Sequence, residues 1–214
     1  MEGGAWIAAA AVLAMCLAVA FGPVRLTCRA ALRKVMPPDA IRGWQYPVTH
    51  GLQAGLVLTV VFAALLGGPD AAVLAAVVGL LVLLAVLDLA WRWLPFVWTI
   101  PLLALGVVVA WATDSWAHAA SGAAIGGGIL LGLQLFFRFW RGVEALGTGD
   151  IWLAAGLGAL TGPQQISLIL GIAAITGLTA EVLGKIQRSG SDRRRMGVAY
   201  GAHMCAAYII VFPF

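Results

Sequence analysis

The chain has 214 residues, of which 62% are hydrophobic and only 10% are Asp, Glu, Lys or Arg. Soluble domains carry about 25% charged residues, so this composition excludes a soluble globule and indicates a protein whose solvent is the lipid bilayer. The net charge of +4 does not indicate a nucleic-acid-binding protein, because the basic residues separate apolar segments and do not form one soluble face.

Apolar runs long enough to span a membrane recur along the whole chain. A transmembrane helix takes about 17–25 mostly apolar residues. Runs near this length occur at 5–21, 48–66, 71–87, 97–113, 119–137, 151–160, 166–183 and 198–212. The sixth run is short, and it is separated from the seventh by Thr161-Gly162-Pro163, a sequence that interrupts helices. We therefore predict an all-α fold, a polytopic membrane protein formed by a bundle of eight transmembrane helices.

No polar stretch is long enough to form a soluble domain, so residues 1–214 are predicted to be a single membrane domain. It comprises a first helix within 1–22, a short cytoplasmic loop at 23–46 and a seven-helix core at 47–214. The first apolar run resembles a signal peptide, but the acidic Glu2 precedes it and the basic run begins only after it, at Arg25. We therefore expect a retained helix with its N-terminus outside.

The distribution of basic residues supports an even number of helices. With eight alternating helices, every basic cluster falls on one side of the membrane: 25–42, Arg92, Arg138, Arg141, Lys185, Arg188 and 193–195. The loops on the other side contain Asp70, Asp114 and His118 but no Lys or Arg. Since Lys and Arg concentrate in cytoplasmic loops, we predict a multi-pass protein of the cytoplasmic (inner) membrane with both termini extracytoplasmic.

Small residues spaced four apart occur in three pairs and predict close helix packing within one bundle. The pairs are Gly122 and Gly126, Gly128 and Gly132, and Gly158 and Gly162.

Two aspartates lie at the ends of predicted helices. Asp88 ends the third helix, Asp150 opens the sixth directly after Gly147 and Gly149, and the predicted topology puts both at the cytoplasmic edge. Ionisable groups at this depth are costly and are commonly functional. Two carboxylates held close together do not both ionise readily, so the pair can share one proton, as an aspartic protease requires. The glycines would allow a sharp turn and leave space for a substrate backbone.

The same residues are compatible with roles other than peptide hydrolysis. Asp150 could cap its helix, and Asp88 could pair with Arg92 four residues later. A proton-coupled transporter could use both aspartates as a relay. The residues alone leave these alternatives open. A metal site is not expected, because the three histidines are scattered over different predicted helices and sides.

Two motifs resemble those of the prepilin peptidase family, which are polytopic membrane aspartyl proteases. Gly147-Thr148-Gly149-Asp150 matches the GxGD motif, and the surrounding stretch at 144–159 is similar to the family sequence. Asp88 is followed by Pro95 and then by Pro101-Leu102-Leu103, which resembles the family pattern after its first aspartate. Both aspartate motifs thus occur in the family order, each at a predicted cytoplasmic helix end.

The resemblance extends from about Tyr46 to the C-terminus and has clear departures. Tyr46-Pro47 and Tyr200-Gly201 are similar to family motifs at helix starts. The loop after the first helix contains only Cys28, where many members have two CxxC pairs, so zinc binding is not expected and N-methyltransferase activity is not carried over. Trp152 occupies the position of the usual lysine after the second aspartate.

The resemblance implies an aspartic endopeptidase that removes the basic leader of type IV prepilins or pseudopilins at the cytoplasmic membrane face. It requires no cofactor, and its partners are the prepilin leader with its hydrophobic helix and the bilayer. The implied catalytic pair is Asp88 and Asp150, and the residues implied to bind substrate or support the site are Gly147, Gly149, Glu144 and Pro95. The alternative within proteolysis is a presenilin-like or signal-peptide-peptidase-like protease that cuts inside a transmembrane helix.

Overall fold

The structure is a computed structural model that describes residues 71–89, 92, 94, 96–143, 146–187 and 199–212. The chain divides into two compact units, Met1–Leu83 and Leu84–Phe214, and only 71–83 of the first unit are described. The first two predicted helices and the loop at 23–46 therefore lie outside the described residues. The predicted single domain, with its divisions, stays a prediction.

The described residues form helices and contain no strand. In chain order the helices are α1 (Ala71–Leu89), α2 (Phe96–Thr113), α3 (Trp116–Arg141), α4 (Thr148–Gln187) and α5 (Tyr200–Val211). By length and composition, α1, α3 and most of α4 can cross a membrane, whereas α2 and α5 are shorter apolar helices. The all-helical fold and these helix positions are confirmed within a few residues, and the count of eight spanning helices stays a prediction.

The break predicted between the sixth and seventh helices lies at Gly162, inside α4. Gly162 has φ 80° and ψ 179°, which is not helical backbone, and glycine adopts a positive φ without steric cost. Pro163 follows it and removes the backbone N–H that would continue the hydrogen-bond ladder. The two predicted helices are thus the two segments of α4, 148–161 and 163–187.

Close glycine contacts hold α3 against α4. A Cβ atom added at Gly122 would collide with the carbonyl oxygen of Gly158, and one added at Gly158 would collide with that of Gly122. A Cβ atom added at Gly126 would likewise collide with a backbone oxygen of α4, that of Ala154. Gly128 and Gly132, in contrast, have no atom within 4 Å of an added Cβ among the described residues. The predicted close packing is therefore confirmed for the first and third pairs, and for the second pair it stays a prediction, because the described residues include no partner for it.

Helix α4 is the centre of the second unit, since it contacts α2, α3 and α5. The fully buried side chains around it include Leu102, Leu105, Leu153, Leu157 and Met204. Large apolar side chains on the outside remain exposed, among them Phe139, Trp140 and Ile210. Such an apolar exterior is what lipid-facing helix surfaces require.

Candidate active site

Asp88 lies in the last turn of α1 and is buried, with 5% of its surface exposed. Its Oδ2 atom accepts a hydrogen bond of 2.8 Å from the backbone N–H of Ala202, 114 residues later, in the first turn of α5. The N-cap residue of α5, Ala199, makes no side-chain capping bond. Because the first N–H groups of a helix lack intrahelical partners, the Asp88 carboxylate acts as the cap of α5.

Asp150 lies in the first turn of α4 and is partly buried. Its Oδ2 atom accepts a hydrogen bond of 3.2 Å from the backbone N–H of Gly147, and its own N–H donates to the Gly147 carbonyl oxygen at 3.1 Å. A side chain in the third helical position that bonds back to the N-cap N–H forms half of a capping box. The capping role that the sequence left open for Asp150 is therefore present in the structure.

The two carboxylates meet at Gly201, beside the N-terminus of α5. A Cβ atom added at Gly201 would lie 3.0 Å from Asp88 Oδ2 and 3.2 Å from Asp150 Oδ1. The two oxygens are therefore separated by no more than the sum of these distances, an upper limit close to the range of about 4–6 Å over which neighbouring charges shift each other's pKa. Capping explains how each aspartate is held, but it does not explain why two caps converge on one glycine.

Gly149 allows the segment between α1 and α2 to approach α4. A Cβ atom added at Gly149 would collide with the carbonyl oxygen of Leu94 and would lie 2.7 Å from the Leu94 Cβ. Leu94 is itself buried, and its Cδ1 is 2.7 Å from the position of a Cβ at Gly201. Leu94 therefore forms an apolar wall of the site. Gly147, by contrast, has only the Asp150 carboxylate near it, at 3.3 Å.

Several site residues were not assigned by sequence reasoning, and most of them belong to α5. Gly201 and Cys205 are buried, and Cys205 lies four residues after Gly201 on the same face of the helix. The Tyr200 hydroxyl donates a hydrogen bond of 3.2 Å to the Leu170 carbonyl oxygen in the second segment of α4. The available signal was the Tyr200-Gly201 motif at the start of the last helix.

Of the other residues that the sequence singled out, some are described by the structure and some are not. Glu144 and Pro95 lie outside the described residues. Trp152 is 45% exposed on α4. Among the parts of the chain that the structure describes, no three His, Cys, Asp or Glu side chains come together as a metal site would require.

Residues 75–182 match the type IV leader peptidase family. This stretch is about half of the chain, and it contains both Asp88 and Asp150. The chain belongs to the type IV leader peptidase family. The chain is also similar to curated proteins whose names describe leader peptidases. No solved structure is significantly similar.

A "Prepilin leader peptidase/N-methyltransferase" from Dickeya chrysanthemi is 39% identical over 145 residues, which cover 65% of this chain and 50% of the relative. A protein of the same name from Burkholderia pseudomallei (strain 1026b) is 35% identical over 63% of this chain and 44% of its own. A "Type 4 prepilin-like proteins leader peptide-processing enzyme" from Escherichia coli O78:H11 is 35% identical over 49% of this chain and 40% of its own. The chain thus spans half or less of the length of these relatives.

Proposed function

We propose that the chain is a membrane aspartic endopeptidase that removes the leader of type IV prepilin-like proteins. The observation that carries the proposal is that the Asp88 and Asp150 carboxylates both lie next to Gly201, at the position where any other residue would have its Cβ atom. Membership in the type IV leader peptidase family supports the reaction. The names of the relatives, which are leader peptidases of prepilins or prepilin-like proteins, support the substrate class.

The proposed chemistry requires a water molecule, one shared proton and two carboxyl groups. One aspartate, ionised, takes a proton from the water as its oxygen adds to the scissile carbonyl carbon, and the other donates its proton to the carbonyl oxygen. The C–N bond of the tetrahedral intermediate then breaks as the leaving amine takes a proton from the first carboxyl. The second carboxylate takes back a proton from a hydroxyl of the intermediate, so that a carboxylic acid forms and the pair returns to its starting state. No cofactor is required for this sequence.

The proposed side of the membrane is the cytoplasmic one. Asp150 follows the C-terminus of α3, which contains Arg138 and Arg141, while Asp114 lies in the turn at the other ends of α2 and α3. An excess of Lys and Arg marks cytoplasmic ends. A leader that is itself basic would meet the two aspartates there. Glu144, which precedes the GxGD motif, is proposed to add a third acidic contact.

The test is cleavage of a purified prepilin by the purified full chain in detergent. We expect Asp88→Asn and Asp150→Asn each to lower kcat by roughly 10²–10⁴-fold, the usual contribution of a general acid or base. Asp114→Asn is the matched control, because Asp114 is exposed and has a φ of 50° that asparagine tolerates. If wild type and both site variants cleave equally, the aspartic peptidase proposal fails and the proton-coupled transporter remains as the alternative.

The mass of the product separates the two kinds of proteolysis. A cut just before the hydrophobic segment of the pilin supports leader removal, whereas a cut within that segment supports the presenilin-like alternative. Mass spectrometry of the new N-terminus also measures methylation, which we do not propose for this chain.

A further inference from the structure

Gln134 is a polar residue in an otherwise apolar part of α3. Apart from Gln134, all residues of this helix between Ser121 and Arg138 are apolar or glycine. A polar side chain in a membrane-spanning segment is costly unless it finds a hydrogen-bonding partner. Gln134 is partly buried, and its Nε2 donates a hydrogen bond of 3.3 Å to the carbonyl oxygen of Leu146, in the connection between α3 and α4.

The peptide group that Gln134 contacts is also the one that contacts Asp150. The Leu146 carbonyl and the Gly147 N–H belong to one peptide group, and this N–H donates to Asp150 Oδ2 at 3.2 Å. A side-chain amide, a planar peptide group and a carboxylate are thus connected in series. The amide donates a hydrogen bond to the carbonyl oxygen of the peptide group, and the carboxylate accepts one from its N–H.

This series of bonds has two physical consequences for Asp150. A peptide group is rigid, so a hydrogen bond to its oxygen also fixes the direction of its N–H. Donation to the carbonyl oxygen further polarises the group and strengthens its N–H as a donor. The peptide group before a glycine is the one that rotates with least steric resistance. A flipped Leu146–Gly147 group would direct its carbonyl oxygen toward the carboxylate, and the Gln134 donor opposes that flip.

We propose that Gln134 is a positioning residue for Asp150: its side-chain amide holds the Leu146–Gly147 peptide group in the orientation that donates a hydrogen bond to the Asp150 carboxylate. This inference rests on the proposed function, in which Asp150 reacts with the substrate. Gln134 itself does not touch the reacting atoms. Its loss therefore affects the rate of the chemical step more than the binding of the substrate.

The experiment compares three variants of the purified full chain on a purified prepilin. Gln134→Met keeps the length of the side chain and removes the donor, and we expect kcat to fall by about tenfold with KM changed by less than about twofold. Leu135→Met is the matched control on the next residue, which is 40% exposed and apolar. We expect it to match wild type in both constants.

Gln134→Glu provides a readout that a purely structural role would not change. An ionised glutamate cannot donate to the Leu146 oxygen, whereas a protonated one can. We therefore expect the ratio of kcat for Gln134→Glu to kcat for Gln134→Met to rise as the pH is lowered. A ratio that stays constant with pH, or a kcat of Gln134→Met equal to that of wild type, would overturn the inference.

The failure of this inference is distinguishable from failure of the proposed function. If Asp150→Asn cleaves as fast as wild type, the proposed function fails, whatever Gln134 does. If Asp150→Asn is inactive while Gln134→Met keeps the wild-type kcat, only the role of Gln134 fails. The inference about Gln134 would also be overturned if the fall of kcat in Gln134→Met equals the fall in the fraction of folded protein at the assay temperature, which thermal unfolding measures.

Discussion

The substitution Gly201→Ala tests whether the reaction requires the space between the two aspartates. The added Cβ would lie 3.0 Å from Asp88 Oδ2, 3.2 Å from Asp150 Oδ1 and 2.7 Å from Leu94 Cδ1. All three distances are shorter than ordinary van der Waals contact for such atoms. The Leu94 methyl group can rotate away, but the Asp88 carboxylate is held by the Ala202 N–H and the Asp150 carboxylate by the Gly147 N–H.

The expected effect on catalysis is larger than the expected effect on stability. The two carboxylates must separate by a few tenths of an ångström, and the methyl group occupies the space between them. Misplacement of reacting groups by about 1 Å costs about 10²-fold in rate, so we expect kcat to fall by roughly 10- to 100-fold. Overpacking costs about 1–3 kcal/mol, but replacing glycine by alanine in a helix returns about 1 kcal/mol. The net destabilisation should therefore be about 0–2 kcal/mol.

The assay measures kcat and KM for prepilin cleavage together with the thermal midpoint of each purified variant. Gly128→Ala is the matched control, because Gly128 is also helical and an added Cβ there has no described neighbour within 4 Å. It should keep the wild-type kcat and be as stable as wild type or slightly more so. A wild-type kcat in folded Gly201→Ala would refute the argument that the open space between the carboxylates serves the reaction.

Three further substitutions test how the site is held together. Gly122→Ala should destabilise the protein by about 1–3 kcal/mol, because its Cβ would meet backbone of α4, whereas Gly128→Ala should not; thermal unfolding of the two variants measures the difference. Tyr200→Phe removes the hydroxyl that bonds the Leu170 carbonyl oxygen, so we expect a loss of about 1 kcal/mol in stability and a lower kcat; an unchanged thermal midpoint would contradict this. Gly149→Ala should abolish cleavage, since its Cβ would collide with the backbone before α2; a variant that folds and cleaves normally would show that this close approach is dispensable.

The positions of the described helices could be predicted from the sequence because the signals are local. A run of apolar residues of sufficient length predicts a spanning helix wherever it packs. Gly162 and Pro163 interrupt α4 through their own backbone chemistry, so the break between its two segments was also predictable. The locations of Asp88 and Asp150 at helix ends followed from the same helix boundaries.

The partners of these residues were decided by tertiary structure alone. In a helix of a soluble protein, apolar residues recur with the 3.6-residue period of the helix and so mark the buried face. Both faces of a membrane helix are apolar, so the sequence carries no comparable sign of which faces meet. For this reason three similar glycine pairs could not be told apart, and only Gly122 with Gly126 and Gly158 with Gly162 lie at the contact of α3 and α4. The capping of α5 by Asp88 and the convergence of both carboxylates on Gly201 join residues far apart in the chain. Such contacts exist only once the helices have packed.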